Sequence, residues 1–115
     1  MAVLSEPRLA LRAKFFRGLS DVSRLALLQA LLDGEKTVTE LVAETGLTQS
    51  NVSGHLACLR ECGLVDCRQE WRHVYYRLAD GRLEDLLRAA DAILAANAER
   101  IYACVSIAEG SEDCS

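Results

Sequence analysis

Two of the five cysteines in this 115-residue chain, Cys58 and Cys62, are four residues apart. In a helix, that spacing places the two thiols one above the other on the same face, where two thiolates can bind one metal ion. Soft thiolate ligands favour cadmium, lead, mercury, zinc or copper(I) over magnesium or calcium. Because two ligands are too few for a stable site with most of these ions, we expect a third ligand from elsewhere in the chain.

Cys104, near the C-terminus, is the leading candidate for the third ligand, and in a dimer the other subunit could supply it. Cys67 and Cys114 are weaker candidates. His55 lies on the same helical stripe as Cys58 and Cys62, although capping, packing or a phosphate contact is the more ordinary role for it. The competing interpretation treats the two central cysteines as small core residues, because free cysteine is among the most buried residue types.

The helix that carries the two central cysteines is predicted to be the second helix of a helix-turn-helix. Thr48 is a good N-cap for this helix, which is expected to run over about 49–62. Thr39 is expected to cap a shorter helix before it, and the two helices are joined by a short turn that contains Gly46. Two helices in this arrangement, over about residues 39–62, are typical of a helix-turn-helix.

A predicted β-hairpin, over about residues 64–78, follows directly after this pair of helices. It consists of two short segments rich in Val, Tyr and Leu on either side of a three-residue turn, Glu70–Arg72. A hairpin in that position is typical of the wing of a winged helix-turn-helix. Helices over about 7–18 and 22–33 before the pair, and over about 82–98 after the hairpin, complete a mainly α fold.

The predicted elements define the expected domain organisation. Residues 1–100 are predicted to form one winged helix-turn-helix DNA-binding and dimerisation domain, because the chain is long enough for one modest core. Residues 101–115 are predicted to form a C-terminal tail that contributes a metal ligand. The apolar faces of the N-terminal and C-terminal helices must be buried, and we expect them to form the seam of a homodimer.

Short polar side chains occupy the first two turns of the second helix of the pair, as a helix that enters the DNA major groove requires. Gln and Asn can bond bidentately to adenine, Ser can bond to bases or phosphates, and Arg residues of the hairpin can grip the DNA backbone or minor groove. The net charge of −4 argues mildly against nucleic acid, but local charge at the contact surface sets phosphate affinity. A solvated helix start is the alternative interpretation. The predicted DNA-binding residues are Gln49, Ser50, Asn51, Ser53, His55, Arg68 and Arg72.

Three stretches resemble the ArsR/SmtB family of metal-responsive repressors: LSDVSRLALLQALLDGE, TVTELVAETGLTQSNVSGHLACLRECGLV, and the hairpin that ends in VYYRLAD. The resemblance covers about residues 10–100. It departs from the family at Val22, where proline is usual, and at EWRHVYY, where a glycine-arginine turn is common. The resemblance implies a homodimer that binds double-stranded operator DNA and releases it when metal binds.

The resemblance also bears on which metal is sensed. The predicted helix TELVAETGL lacks the cysteine pair of the arsenic sensors, and the last helix lacks the histidines of the zinc and nickel sensors. The remaining pattern is two cysteines on the second helix of the pair and one near the C-terminus. It is similar to that of the CmtR-like subgroup of cadmium and lead sensors, which implies Cys58, Cys62 and Cys104 as the ligands. Cadmium or lead is therefore the expected effector, with mercury or zinc as further candidates. The alternative function is the same repressor responding to arsenite, mercury or thiol oxidation.

Two other function classes remain open from the residues alone: a thiol enzyme, and a dimeric interaction module without DNA binding. An enzyme would need a base oriented by a third group, and His55, one turn from Cys58, has no evident partner of that kind. No apolar run approaches the roughly 20 residues of a membrane span, and the first residues lack a signal-peptide layout. We therefore expect a cytoplasmic protein that is not an enzyme, with no membrane partner and no small organic ligand.

Overall fold

A computed structural model describes residues 6–111 of the chain, with side chains over residues 6–103. The chain divides into two compact units, the first ending at Asp80 and the second beginning at Gly81. None of the described helices is both long and apolar enough to span a bilayer. The elements, in chain order, are α1 (Pro7–Leu19), α2 (Val22–Leu31), α3 (Val38–Thr45), α4 (Gln49–Glu61), β1 (Val65–Glu70), β2 (His73–Leu78) and α5 (Arg82–Ser111).

The first unit is a winged helix-turn-helix, as predicted. Helices α3 and α4 form the pair, and β1 and β2 form an antiparallel hairpin directly after α4. Helix α2 packs on both α3 and α4, so that one apolar core holds the three helices and the base of the hairpin together. The side chains of this core are at most 5 % exposed, and they are Leu27, Leu28, Ala30, Leu31, Leu41, Val52, Leu56, Leu59, Leu64 and Val65.

The start of α3 differs from the prediction. Thr37, rather than Thr39, is the N-cap: the Glu40 amide donates to Thr37 Oγ1 at 3.2 Å, and the Thr37 amide donates to Glu40 Oε1 at 2.9 Å. This reciprocal arrangement needs an acidic or amide side chain three residues after the cap, and Thr39 has Val42 there. Gly46, with a φ of 77°, ends α3 as predicted.

The predicted bounds of α4 are confirmed by its caps. The Asn51 amide donates to Thr48 Oγ1 at 3.1 Å at the start of the helix. At the other end Cys62 is the C-cap residue, and Gly63 turns the chain toward β1 with a φ of 76°, a conformation that favours glycine. Cys58 therefore lies in regular helix and Cys62 at its cap.

The turn of the hairpin is shorter than predicted. Glu70 is paired with His73 across the two strands, so that the turn consists of Trp71 and Arg72 alone. The predicted three-residue turn is wrong because Glu70 belongs to the strand ladder.

A backbone bridge joins the hairpin to the segment between α2 and α3. The Lys36 amide donates to the Tyr76 carbonyl at 3.0 Å, and the Tyr76 amide donates to the Lys36 carbonyl at 2.8 Å. Because this bridge lies beside the core, the base of the wing is fixed to the helix-turn-helix by main-chain hydrogen bonds as well as by apolar contacts.

The second unit is the helix α5, which continues beyond the predicted end near residue 98. Its backbone is interrupted at Asn97, where φ is −130° and ψ is 21°, and the Asn97 side-chain amide donates to the Ile93 carbonyl at 3.1 Å. After this kink the backbone is helical to Ser111, where the sequence continues with good helix formers such as Ala98, Glu99 and Arg100. Part of the predicted tail is therefore helical.

Candidate nucleic-acid interface and cysteine site

The first two turns of α4 present the predicted reading residues to solvent. Gln49, Ser50, Asn51 and Ser53 are all exposed, because the inward positions of these turns are occupied by Val52. Within the described part of the chain, none of these four side chains forms a hydrogen bond. Their donors and acceptors are therefore available to base edges or phosphates.

His55 occupies a different environment from the other predicted reading residues. Its side chain is 26 % exposed, and its Nε2 lies 4.0 Å from Asp21 Oδ2. Asp21 is the N-cap of α2 and accepts the Arg24 amide at 3.0 Å. The hydrogen bond from the Arg24 amide lowers the pKa of Asp21 below its ordinary value, and the charges of Arg24 and His55 lower it further. His55 thus faces the N-terminus of α2, and its contact with DNA stays a prediction.

Arg68 lies on β1 with its guanidinium already bound to carboxylates. Its Nε and Nη2 donate to the two oxygens of Glu35 at 2.8 and 2.9 Å, and its Nη1 donates to Glu70 at 2.6 Å. The hydrogen bond from Arg68 holds the pKa of Glu35 below its ordinary value, and the two carboxylates raise the pKa of Arg68. A DNA contact by Arg68 would therefore require exchange of this bidentate pair.

Glu35 is a residue whose role the sequence did not reveal. It stands 33 positions before Arg68, and it also lies 3.8 Å from Arg77 on β2. No local spacing rule predicts such a pair, because the contact depends on how the hairpin folds back on the segment after α2.

Arg72 is the predicted DNA-binding arginine that remains available at the tip of the wing. It is exposed, and its guanidinium carbon lies 5.4 Å from the centre of the Trp71 ring. Trp71 is 84 % exposed and has a φ of 61°. Trp71 is not among the DNA-binding residues predicted from the sequence. The signal that points to it is a bulky aromatic residue in a two-residue hairpin turn, where glycine or asparagine is expected.

Cys58 lies in the second half of α4 and Cys62 is its C-cap residue. Both are half-buried free thiols. Cys62 faces α1, where Gly18 is buried: a methyl group on Gly18 would lie 3.8 Å from the Cys62 sulfur. The α1 backbone at Gly18 therefore lies close to the Cys62 thiol. A groove of about 210 Å³ opens beside it and is lined by Leu11, Lys14, Phe15, Glu61 and Cys62.

The third predicted ligand, Cys104, lies outside the side chains that the structure describes, and Cys114 lies outside the described residues altogether. Cys67 is half-buried on β1, opposite Tyr76. Among the described side chains, no three histidine, cysteine or acidic residues converge as a metal site. The described region contains a pair of half-buried thiols, one in α4 and one at its C-cap. Their chemistry fits a soft metal ion, and they provide two of the ligands that it needs.

Comparison with known proteins is consistent with this architecture. The sequence profile of the family described as "Bacterial regulatory protein, arsR family" matches residues 21–66. The "Probable mercury resistance operon repressor" of Streptomyces lividans is 42 % identical over 95 residues, which are 83 % of this chain and 76 % of the relative. The "HTH-type transcriptional regulator CmtR" of Mycobacterium bovis is 50 % identical over 78 residues, or 68 % of this chain and 66 % of the relative.

Solved structures show the same fold. The solution structure of the homodimeric winged helix-turn-helix DNA-binding domain Mb0332 from Mycobacterium bovis superposes with a TM-score of 0.74 at 28 % identity. The superposition covers 87 % of this chain and 95 % of that domain.

Proposed function

This chain belongs to the ArsR/SmtB family of bacterial regulatory proteins, and from that membership we propose that it binds operator DNA as a homodimer and releases it when cadmium or lead binds to its cysteine thiolates. The family consists of transcriptional regulators and not enzymes. One observation carries the proposal: the exposed polar side chains lie on α4, with Cys58 on the same helix and Cys62 at its C-cap.

The proposed DNA contact uses the start of α4 and the tip of the wing. Gln49, Ser50, Asn51 and Ser53 would read base edges in the major groove, and Arg72 would contact the DNA backbone or minor groove. His55 and Arg68 are proposed as additional contacts that compete with their partners Asp21 and Glu35. Such a protein acts on chromosomal DNA, so we propose a cytoplasmic location.

The proposed homodimer is supported by apolar side chains that remain exposed in each unit. On α1, Leu11 is 67 % and Phe16 is 50 % exposed; on α5, Ile93 is 60 % and Leu94 is 44 % exposed. Large apolar side chains exposed on a helix favour burial against another helix. The Mb0332 domain, which has the same fold, is homodimeric.

The proposed metal site comprises Cys58, Cys62 and Cys104. The first two are one helical turn apart, as the CmtR-like sensors require, and CmtR itself is 50 % identical over the matched residues. The third thiolate would come from the C-terminal part of the same subunit or of the partner. Thiols must lose their protons to bind metal, so that metal affinity is expected to fall as the pH is lowered.

The test is a cadmium titration of the wild type and of single Cys→Ser variants, with operator binding measured by fluorescence anisotropy at fixed salt. For the wild type, saturating cadmium is expected to weaken operator binding about 5- to 150-fold, the usual range of allosteric coupling. Cys58→Ser and Cys62→Ser are expected to lose at least about a hundredfold in metal affinity, because loss of outer-shell partners alone costs about 10- to 100-fold. Both variants should lose the metal response and keep metal-free operator affinity.

The matched control is Cys67→Ser, which changes a half-buried thiol of the same unit and should leave the cadmium response intact. Cys104→Ser and Cys114→Ser then identify the third ligand through the sulfur-to-cadmium charge-transfer absorbance. Operator release by cadmium in Cys58→Ser or Cys62→Ser would show that the proposed site is wrong.

Mercury is a second candidate effector, because the Streptomyces relative at 42 % identity is named for mercury resistance. Mercury, like cadmium and lead, accepts thiolate ligands. Competition between the ions for the same protein, with operator release as the readout, ranks them. Arsenite and peroxide belong in the same series, and a response to peroxide without metal would favour the thiol-oxidation alternative.

A further inference from the structure

The turn of the wing holds its most bulky residue in an unfavourable backbone conformation. Trp71 has a φ of 61°, and it is the residue in the described chain, glycines aside, with a positive φ. Side chains other than glycine, asparagine and aspartate rarely adopt this left-handed region, because the Cβ atom approaches the following carbonyl. Strain of this kind persists in proteins where the residue serves a purpose other than folding.

The fold gains little from the Trp71 side chain. It is the single tryptophan of the chain, yet it is 84 % exposed, whereas tryptophan is usually well buried. The ring lies beside the guanidinium of the neighbouring Arg72, with 5.4 Å between the guanidinium carbon and the ring centre. Trp71 is thus an exposed aromatic residue in a strained turn, with a cation beside its ring. These features favour a role in contacting a partner outside this unit.

The position of this tip is fixed relative to the start of α4. The backbone bridge between Lys36 and Tyr76 and the bidentate pair between Glu35 and Arg68 hold the base of the hairpin on the helix-turn-helix. From Arg68 the hairpin continues for three residues to Trp71, so the tip lies about 10 Å beyond this anchor, at about 3.3 Å per residue. The hairpin is therefore held on the helix-turn-helix by these contacts, and it carries an aromatic residue at its tip.

The charges at the tip favour a polyanion as its partner. Arg72 and His73 are exposed. Of the acidic residues nearby, Glu70 is paired with Arg68, and Glu40, whose charge interacts with His73, accepts the Thr37 amide. Proteins that enter the minor groove combine arginine, which reads its negative potential, with an apolar wedge that partly unstacks a base step. Trp71 and Arg72 have this combination in two consecutive residues.

We propose that Trp71 is a minor-groove contact that inserts against a base step beside the operator half-site, with Arg72 in the groove next to it. This inference rests on the proposed function, since it requires the protein to bind operator DNA. The proposed contact depends on the width of the minor groove and on the flexibility of the base-pair step. The tip would therefore favour A·T-rich sequences beside the operator half-site. Guanine is disfavoured there because its N2 amino group projects into the minor groove.

The test compares the wild type with Trp71→Gly. Both are measured for binding to a DNA duplex that the wild type selects from a random-sequence pool. Glycine suits the left-handed turn, so the variant should be more thermostable by a few degrees. Operator affinity should nevertheless fall about tenfold or more, the loss expected for one aromatic contact with a base. Replacing flanking A·T pairs by G·C should weaken the wild type and have much less effect on Trp71→Gly.

Because Trp71 is the single tryptophan, its fluorescence reports directly on the tip. Operator binding should quench its emission and shield it from acrylamide. Val74→Thr, which changes an apolar side chain of β2 that is 38 % exposed, is the matched control and should bind DNA as the wild type does.

The outcomes separate the two proposals. If the wild type selects no DNA, the proposed function fails and this inference fails with it. If the wild type binds DNA but the fluorescence of Trp71 is unchanged, or Trp71→Gly binds equally well, only the inference is overturned and the tip belongs to another partner. A loss of thermostability in Trp71→Gly would also overturn it, because Trp71 would then serve the fold.

Discussion

The two halves of α4 differ in how they are connected to the rest of the molecule. The first half presents Gln49, Ser50 and Asn51 to solvent, and their side chains form no hydrogen bond within the described chain. In the second half, His55 faces the N-cap of α2 and Cys62 faces α1. The same helix therefore has a free surface at one end and a surface bound to neighbouring helices at the other.

Under the proposed function, this difference offers a route by which metal binding at the thiols can affect DNA binding. From Ser50 to Cys58 the distance along the helix is about 12 Å, at about 1.5 Å per residue. Over that distance a regular helix moves as one body, so that a change in how the second half packs must tilt or release the first half. No longer pathway through the protein is needed, which makes the coupling directly testable.

The largest expected effect comes from Asn51→Ala, which acts on the free half alone. We expect operator affinity to fall by about 1–3 kcal/mol, roughly 5- to 150-fold, because a bidentate base contact is lost. Cadmium affinity should stay the same, since the thiols lie two to three turns away. Anisotropy with labelled operator and charge-transfer titration with cadmium measure the two quantities on the same samples.

Cys62→Ser provides the reciprocal control for Asn51→Ala, since it should lose cadmium affinity and keep operator affinity. If Asn51→Ala lowered cadmium affinity as strongly as operator affinity, the two halves would not be separate surfaces, and the comparison would be wrong.

The parts of this fold that could be predicted from sequence are those set by local spacing. The Thr48 cap, the turn at Gly46 and the exposure of the polar side chains at the start of α4 depend on residues within one or two helical turns of each other. The same is true of the hairpin, since alternating strand residues lie directly after the helix pair. Helical spacing also placed Cys58 and Cys62 on one helix.

The parts that could not be predicted depend on contacts between distant segments. The pair of Glu35 with Arg68 and the approach of Gly18 to Cys62 link residues more than thirty positions apart. The cap of α3 was misplaced for a different reason: Thr37 and Thr39 are equally good caps by type, and the position of Glu40 decides between them. The strain at Trp71 follows from the strand register, which determines that the turn has two residues.

A smaller effect is expected where the two halves of α4 meet. Gly54 is exposed, and a methyl group there would have no atom within 4 Å. Gly54→Ala should therefore stabilise the protein by about 0.5–1 kcal/mol, through the lower backbone entropy of alanine in the unfolded chain. Urea denaturation measures this gain.

The same variant also tests how metal binding would be coupled to DNA binding. If α4 transmits the metal signal as a rigid body, a stiffer junction should preserve or increase the fold-change in operator affinity on adding cadmium. A stabilised Gly54→Ala that no longer responds to cadmium would instead show that flexibility at the junction is required.

The smallest expected effect concerns the contact that holds the second half of α4 to α2. Asp21→Asn removes a charge near His55 but keeps a good helix cap, because asparagine caps as well as aspartate. The pKa of Asp21 is lowered in the folded protein from its ordinary value of 3.8. The charge of Asp21 therefore stabilises the fold when the pH is above 3.8. This contribution is lost as the pH falls through 3.8 to the lower pKa of the folded protein.

Urea denaturation from about pH 6 down to about pH 3 separates the effect of the Asp21 charge on stability from the effect of the cap geometry. Wild type should be modestly more stable than Asp21→Asn above about pH 5, and the difference should shrink at lower pH as the unfolded carboxyl takes up its proton. Asp91→Asn, the same change at an exposed position of α5, is the matched control for the loss of one carboxylate. A difference between wild type and Asp21→Asn that stayed constant with pH would assign the effect to the cap geometry.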